Sequence, residues 1–156
     1  MAKEHHYLTN LRWTGNQGEG TSTYKAYARD HILSVAGKPE LPASSDPSFR
    51  GNPQRYNPEE LLVASLSSCH MLWYLHLCSV NGVVVVEYED AAVGLMEETA
   101  DGSGRFLSVT LKPVVTVTTP AMAEKANALH QEANKLCFIA NSVNFPVRHE
   151  PTIVSS

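Results

Sequence analysis

The sequence predicts an α+β fold, and three observations carry that expectation. Alternating apolar and polar residues appear early in the chain and return between residues 83 and 118. An almost wholly apolar stretch from 58 to 80 is too long for a strand and has helix signals at both ends. A second segment after Thr119-Pro120 repeats its apolar residues at steps of three and four. The expected order is β-β-β-α-β-β-α-β. At 156 residues, 43% hydrophobic and 18% charged, the chain is expected to form a single domain over residues 1–156.

The first two strands are expected at 6–14 and 20–28, joined by the turn Asn16-Gln17-Gly18-Glu19-Gly20. Tyr7, Leu11 and Trp13 share one face of the first, and Tyr24, Ala26 and Ala28 share one face of the second. A third strand is expected at 31–36. Residues 37–57 carry Pro39, Pro42, Pro47 and Pro53 with Gly37 and Gly51, so regular structure is not expected there. A connection of that length is usually functional. Phe49, Arg50, Arg55 and Tyr56 give it groups that pack and pair, so it reads as a folded functional loop.

The helix start at residue 57 is the clearest local signal. Asn57 suits the N-cap, Pro58 the first helical position, and Glu60 can close a capping box. Glu59 and Glu60 also sit at the positive end of the helix dipole. The helix should run to about Val80, where Asn81-Gly82 stops it. Being apolar nearly all round, it is expected to be buried on all sides. Two long β segments follow, Val83–Glu97 and Arg105–Thr118, joined by Asp101-Gly102-Ser103-Gly104 as a hairpin. Met122, Ala126, Leu129, Ala133 and Leu136 form the stripe of the second helix. Cys137 falls at its end or at the start of a short helix through Ser142, and a last strand is expected at roughly 146–154.

Composition narrows the function. The net charge is −4 and no Lys/Arg cluster is present, which argues against nucleic acid or an anionic membrane as the main ligand. The low charge points to surface covered by a partner. No apolar h-region follows Met-Ala-Lys-Glu-His-His, so no secretory signal is expected. Residues 61–80 hold no charged side chain, but Ser65, Ser67, Ser68, His70, His76 and Ser79 make them too polar for a bilayer core. Three cysteines without a CxxC suggest free or redox-active thiols and a cytoplasmic setting.

Each of these cysteines is either a small core residue or a reactive thiol. Cys69 and Cys78 are nine residues apart, about 180° around a helix, so at most one can serve a given site. Cys78, beside Leu77 and Val80, reads as core. Leu72 and Trp73 share the Cys69 face and, with Phe49, are candidates to line an apolar substrate pocket; core packing is the alternative. His76 reads as a hydrogen-bonded core histidine. His5-His6, His31 and His149 lack ligand spacing, and HxxxH and HExxH are absent, so no metal is expected. Without GxxxxGK or GxGxxG, no phosphate-bearing cofactor is expected either.

The segment Asn57-Pro58-Glu59-Glu60-Leu61-Leu62-Val63-Ala64-Ser65-Leu66-Ser67-Ser68-Cys69 resembles the Asn-Pro-Glu helix of the OsmC/Ohr family. His130 through Leu136-Cys137, with Asn141-Ser142, resembles that family's second-cysteine segment. The resemblance extends over essentially the whole chain. It implies an OsmC-like fold, with antiparallel sheets wrapped around long buried helices in an intertwined homodimer. It further implies a thiol peroxidase acting on organic hydroperoxides in oxidative stress defence. On that resemblance Cys69 is the peroxidatic cysteine, Cys137 the resolving cysteine, and Glu59 the carboxylate that orients an arginine. It also suggests a dithiol reductant of lipoyl type. The chain departs from the family pattern at Gln17, where many relatives carry an arginine, and at His70, where an aromatic is common. Arg50 and Arg29 are the candidates for the displaced arginine, ahead of Arg12. A binding protein for a lipophilic ligand, or a redox sensor without turnover, are the alternatives.

Elementary chemistry shows why an arginine is needed. The thiolate is the nucleophile, and a free cysteine with a pKa near ~8.5 is only slightly ionised at neutral pH. Burial or a nearby carboxylate raises that value further. Glu59 therefore serves only as the anchor of a guanidinium that stabilises the thiolate and polarises the leaving oxygen. Glu59 and Cys69 are ten residues apart, ~15 Å along one continuous helix. Either the helix breaks between them, or Glu59 serves the Cys69 of a second chain.

Overall fold

The first strand forms, but with a different partner from the one expected. In the computed structural model, which describes residues 1–156, β1 (Asn10–Trp13) pairs antiparallel with β2 (His31–Ser34). The segment 20–28 is not a strand; its β pairing with the chain before it is reduced to a bridge between Asn16 and Tyr27. Side chains have taken the backbone groups that a ladder would need. The Arg29 guanidinium donates to the Tyr27 and Tyr24 carbonyls at 2.5 and 2.7 Å. The Asn16 carboxamide accepts from the amides of Gly18 and Gly20, both at 3.0 Å. Local side-chain bonds of this kind compete directly with sheet formation.

The chain forms two compact units, Met1–Leu61 and Leu62–Ser156. In the first, the long connection is more regular than its prolines suggest. β3 (Leu41–Ala43) adds antiparallel to β2, and Pro47–Phe49 makes a 3-10 turn capped by the Asp46 carboxylate, which accepts from the Ser48 amide at 2.7 Å. Pro42 sits on β3, the edge strand beside β2, where a residue without an N–H is tolerated. The capping box forms as expected: Asn57 Oδ1 accepts from the Glu60 amide at 2.9 Å, and Glu60 Oε1 accepts from the Asn57 amide at 3.0 Å. From it α1 runs unbroken over Pro58–Val80, and Gly82 at φ 74° supplies the left-handed stop.

The second unit carries the rest of the chain: β4 (Val85–Asp90), β5 (Val93–Glu98), β6 (Gly104–Leu111), β7 (Pro113–Val117), α2 (Ala123–Leu136), β8 (Val147–His149) and β9 (Thr152–Ser155). The three long strands expected here are each broken in two. The hairpin bends so that its tip, β5 with β6, belongs to one sheet and its base, β4 with β7, to another. Asp90 marks the bend, its carboxylate accepting from the Lys112 amide at 2.7 Å and the Ser67 hydroxyl at 2.5 Å. The last segment breaks at Glu150-Pro151, so β8 joins β6 and β9 joins β7, both parallel.

Helix α1 packs directly on β5. A Cβ on Gly94 would lie 2.6 Å from a Val63 methyl and 2.7 Å from the Phe106 ring. One core cluster centres on Leu66, Val109 and Leu111. The other gathers Tyr74, Cys78, Val115, Val117, Ala126 and Ala133. Within the chain α1 is not buried on all sides: only Leu66, His70, Tyr74 and Cys78 are buried, at four-residue steps, and Leu72 is 61% exposed. The single-chain fold thus covers one stripe of a helix that is apolar all round.

Candidate functional site

Cys69 and Cys137 are 68 residues apart in sequence, and the second unit brings them together. Cys69 stands half-buried on α1. Cys137 ends α2 in extended geometry and is buried, with the Cys69 thiol as its neighbour. The Ala140 amide donates to Cys137 Sγ at 3.4 Å, from the 3-10 turn Ala140–Ser142 that follows. Burial pushes the Cys137 thiol up to about 11; the Ala140 amide opposes this and the neighbouring Cys69 thiol adds to it. Both are free thiols in this state. A half-buried cysteine thus neighbours a buried, protonated one.

Cys78 stands apart from that pair. It lies in the core cluster with Tyr74 and Val83, and burial pushes its pKa up. Beside α1 a shallow cavity of about 290 Å³ is lined by Leu72, Trp73 and His76. Trp73 meets Phe138, the residue after Cys137, edge to face at 5.6 Å. His76, expected in the core, is instead exposed on this rim. Its position seven residues beyond Cys69 follows the helix face, but that face is not covered by the chain's own core.

Four of the other predicted residues lie in the first unit. Arg29 is committed locally, its two bonds to carbonyls reinforced by stacking 3.8 Å above the Tyr27 ring. Arg50 adopts a left-handed backbone at φ 64° and stands 6.0 Å from the Tyr24 ring, with no ion pair. Phe49 is partly exposed, and Glu59 is half-buried without an ion pair. Arg55 pairs with Asp30 at 3.4 Å. Because α1 does not break, Glu59 and Cys69 remain ~15 Å apart along it, which removes the first of the two routes by which they could meet. In the second unit neither thiol has a hydrogen-bonded arginine or lysine.

Sequence reasoning missed a buried histidine cluster. His70 on α1 and His130 on α2 are hydrogen-bonded, Nε2 to Nδ1, at 3.0 Å. The His149 ring lies 5.8 and 6.1 Å from them. Burial holds His70 down to about 4 and His130 down to about 3, with neighbouring imidazoles adding to the effect. The available signal was periodic. His70 continues Leu66, Tyr74 and Cys78, and His130 continues Ala126 and Ala133 on the buried stripes of their helices. No group of three His, Cys, Asp or Glu side chains is arranged to hold a metal ion.

Comparison with known proteins agrees with this architecture. An OsmC-like protein of unknown function from Vibrio cholerae is 30% identical, with a TM-score of 0.84, over 95% of this chain and 99% of that one. An organic hydroperoxide resistance protein from Elizabethkingia anophelis shares the fold at 18% identity and a TM-score of 0.69, over 99% and 100% of the two chains. One from Legionella pneumophila does so at 17% identity and a TM-score of 0.68, over 97% and 99%. No curated protein matches the chain. The sequence model of the OsmC-like proteins matches residues 51–152, which include α1, α2, strands β4 to β8, Cys69 and Cys137. With two-thirds of its length under that match and a full-length relative at 30% identity, the chain belongs to the OsmC-like protein family.

Proposed function

We propose that this protein is a thiol-dependent peroxidase that reduces organic hydroperoxides. The observation that carries the reading is the approach of Cys69 to Cys137 across the α1–α2 contact, with the more accessible thiol on the helix that carries the Asn-Pro-Glu motif. The Cys69 thiolate attacks the distal oxygen of the hydroperoxide. The O–O bond breaks, the alkoxide takes a proton to leave as an alcohol, and Cys69 becomes a sulfenic acid. Cys137 then forms the S–S bond, its thiol proton leaving with the sulfenic hydroxyl as water. A dithiol reductant, for which a lipoyl-type compound is suitable, reopens the disulfide by exchange and is itself oxidised. The buried Cys137 stays protonated until Cys69 has been oxidised, which keeps the roles of the two sulfurs distinct.

The cation that this chemistry needs comes from the first unit's arginines in this reading. Arg50 is the better of the two candidates, because the Arg29 guanidinium is already bonded to two carbonyls. The protein acts as a homodimer, in which the open faces of α1 are covered and Glu59 of one copy serves the Cys69 of the other. Leu72 and Trp73 supply apolar walls, which favours organic over hydrogen peroxide. The expected result is that Cys69→Ser abolishes cumene hydroperoxide turnover while Cys78→Ser leaves it unchanged. Equal turnover in both variants and the parent overturns the reading. The cavity beside Trp73 favours a second reading, a binding site for a lipophilic ligand. A Cys69 that is alkylated rapidly at pH 6 supports the peroxidase, and three inert thiols support the binder.

A further inference from the structure

The thiol pair and the histidine pair both lie where α1 meets α2. Cys69 and His70 are consecutive on α1, and His130 lies seven residues before Cys137 on α2. One turn further along α1, the Tyr74 hydroxyl donates to the Ala126 carbonyl at 2.8 Å, and the Tyr74 ring covers His130 at 3.8 Å. The two histidine rings are not stacked face to face. Their planes differ by 2° and their centroids are 5.3 Å apart, which is the 3.0 Å N···N distance plus about one ring radius at each end. The rings therefore lie end to end in one plane, joined by a nearly linear hydrogen bond.

This arrangement is a poor way to fill a core and a good way to fix a register. Both residues are fully buried, and His70 Nδ1 and His130 Nε2 have no hydrogen-bond partner. With one nitrogen of each neutral ring used in the shared bond, one end of the pair carries an unpaired N–H and the other an unpaired lone pair. Apolar residues would avoid that penalty. They would also tolerate sliding, whereas a slip of ~1.5 Å between the helices takes the two rings out of line and weakens a bond that is linear at 3.0 Å.

The geometry points to the His70–His130 hydrogen bond as the lock that holds α1 and α2 in the register at which Cys69 meets Cys137; this rests on the two-cysteine reading above. His70 and His130 are positioning residues for the disulfide, acting through the helices and not on substrate. His149 closes the third side of the pair, with ring centroids 5.8 and 6.1 Å away.

The test equilibrates the full-length protein with mixtures of oxidised and reduced dithiothreitol and measures the Cys69–Cys137 disulfide by alkylation and mass spectrometry. In the double variant His70→Phe/His130→Leu the equilibrium constant for disulfide formation is expected to fall roughly tenfold or more, about 30 mV in the couple, while the thermal midpoint stays at or above that of the parent. His130→Asn places an amide nitrogen where Nδ1 stands and is expected to keep the parent value within about threefold. If the double variant does not fold, His130→Leu is compared with His130→Asn, and only the former is expected to lose the disulfide. A parent-like constant in the apolar variant, or an equal loss in His130→Asn, overturns the proposal. Dithiothreitol exchange needs no peroxide, so an inactive parent with an intact lock counts against the peroxidase reading alone.

Discussion

The two units are held together by different physics. In the first, β1 is exposed along its whole length, and Gly15, Ala43, Ser44 and Asn57 are the buried residues. Its order comes from directed polar contacts: Arg29 on two carbonyls, Asn16 on two amides, the Trp13 indole on the Ala28 carbonyl at 2.9 Å, and Arg55 on Asp30. The second unit has two apolar clusters between its helices and sheets, with a few polar contacts buried among them. The comparison teaches where each kind of chemistry is placed. The thiols sit in the unit whose packing holds sulfur positions closely, and the candidate cations sit in the unit whose loops are built around guanidinium groups.

The sharpest way to break this contrast is Leu66→Ala. Leu66 is fully buried in the second unit's core, so its truncation should cost about 2–5 kcal/mol in urea unfolding. A loss below ~1 kcal/mol would mean that apolar packing does not dominate there. The matching probe of the first unit is Arg29→Ala, expected to cost about 1–3 kcal/mol through the loss of its two hydrogen bonds. Its signature is enhanced proteolytic cleavage within residues 14–30, with the thermal transition of the second unit unchanged. Cleavage that spreads through α2 instead would refute the separation.

Acid sharpens the contrast from the other side. The unfolded chain protonates its histidines near 6.5, whereas folded His70 and His130 refuse the proton until about 4 and about 3. Below pH 6.5 the unfolded state therefore binds more protons, and stability falls as the pH drops toward 4. Each such imidazole contributes a slope of up to ~1.4 kcal/mol per pH unit in that window. Urea midpoints between pH 7 and 4 should show it, and His70→Phe/His130→Leu should flatten it. The smallest effect belongs to the segment where α1 begins. Asn57→Ala removes one half of the capping box and should cost ~1 kcal/mol, read from the thermal midpoint.

Elements whose signals are local were legible in the sequence. Asn57, Glu60 and Gly82 bound α1 because a capping group acts within three or four residues of itself. The strands were legible as β structure but not in their pairings. Residues 20–28 alternate like a strand, yet Arg29 and Asn16 hold their surroundings in turns. The long hairpin gives no sign that Asp90 will take the Lys112 amide and turn it from one sheet into the next. At the candidate site the types and spacing of Cys69 and Cys137 were readable. The placement of His76 was not, because a periodic face says nothing about which neighbour covers it.

What the sequence by itself determined is the chemistry available and the bounds of its main helix: three thiols, the capping box at Asn57, and the apolar surface of residues 61–80. Which of those groups meet depends on the folded chain. Cys69 finds Cys137 across 68 residues and His70 finds His130 across 60, by way of a bent hairpin and the antiparallel approach of two helices. Propensities and caps act over a few residues, whereas these contacts are set by how helix and sheet faces pack together, which no short stretch of the chain encodes.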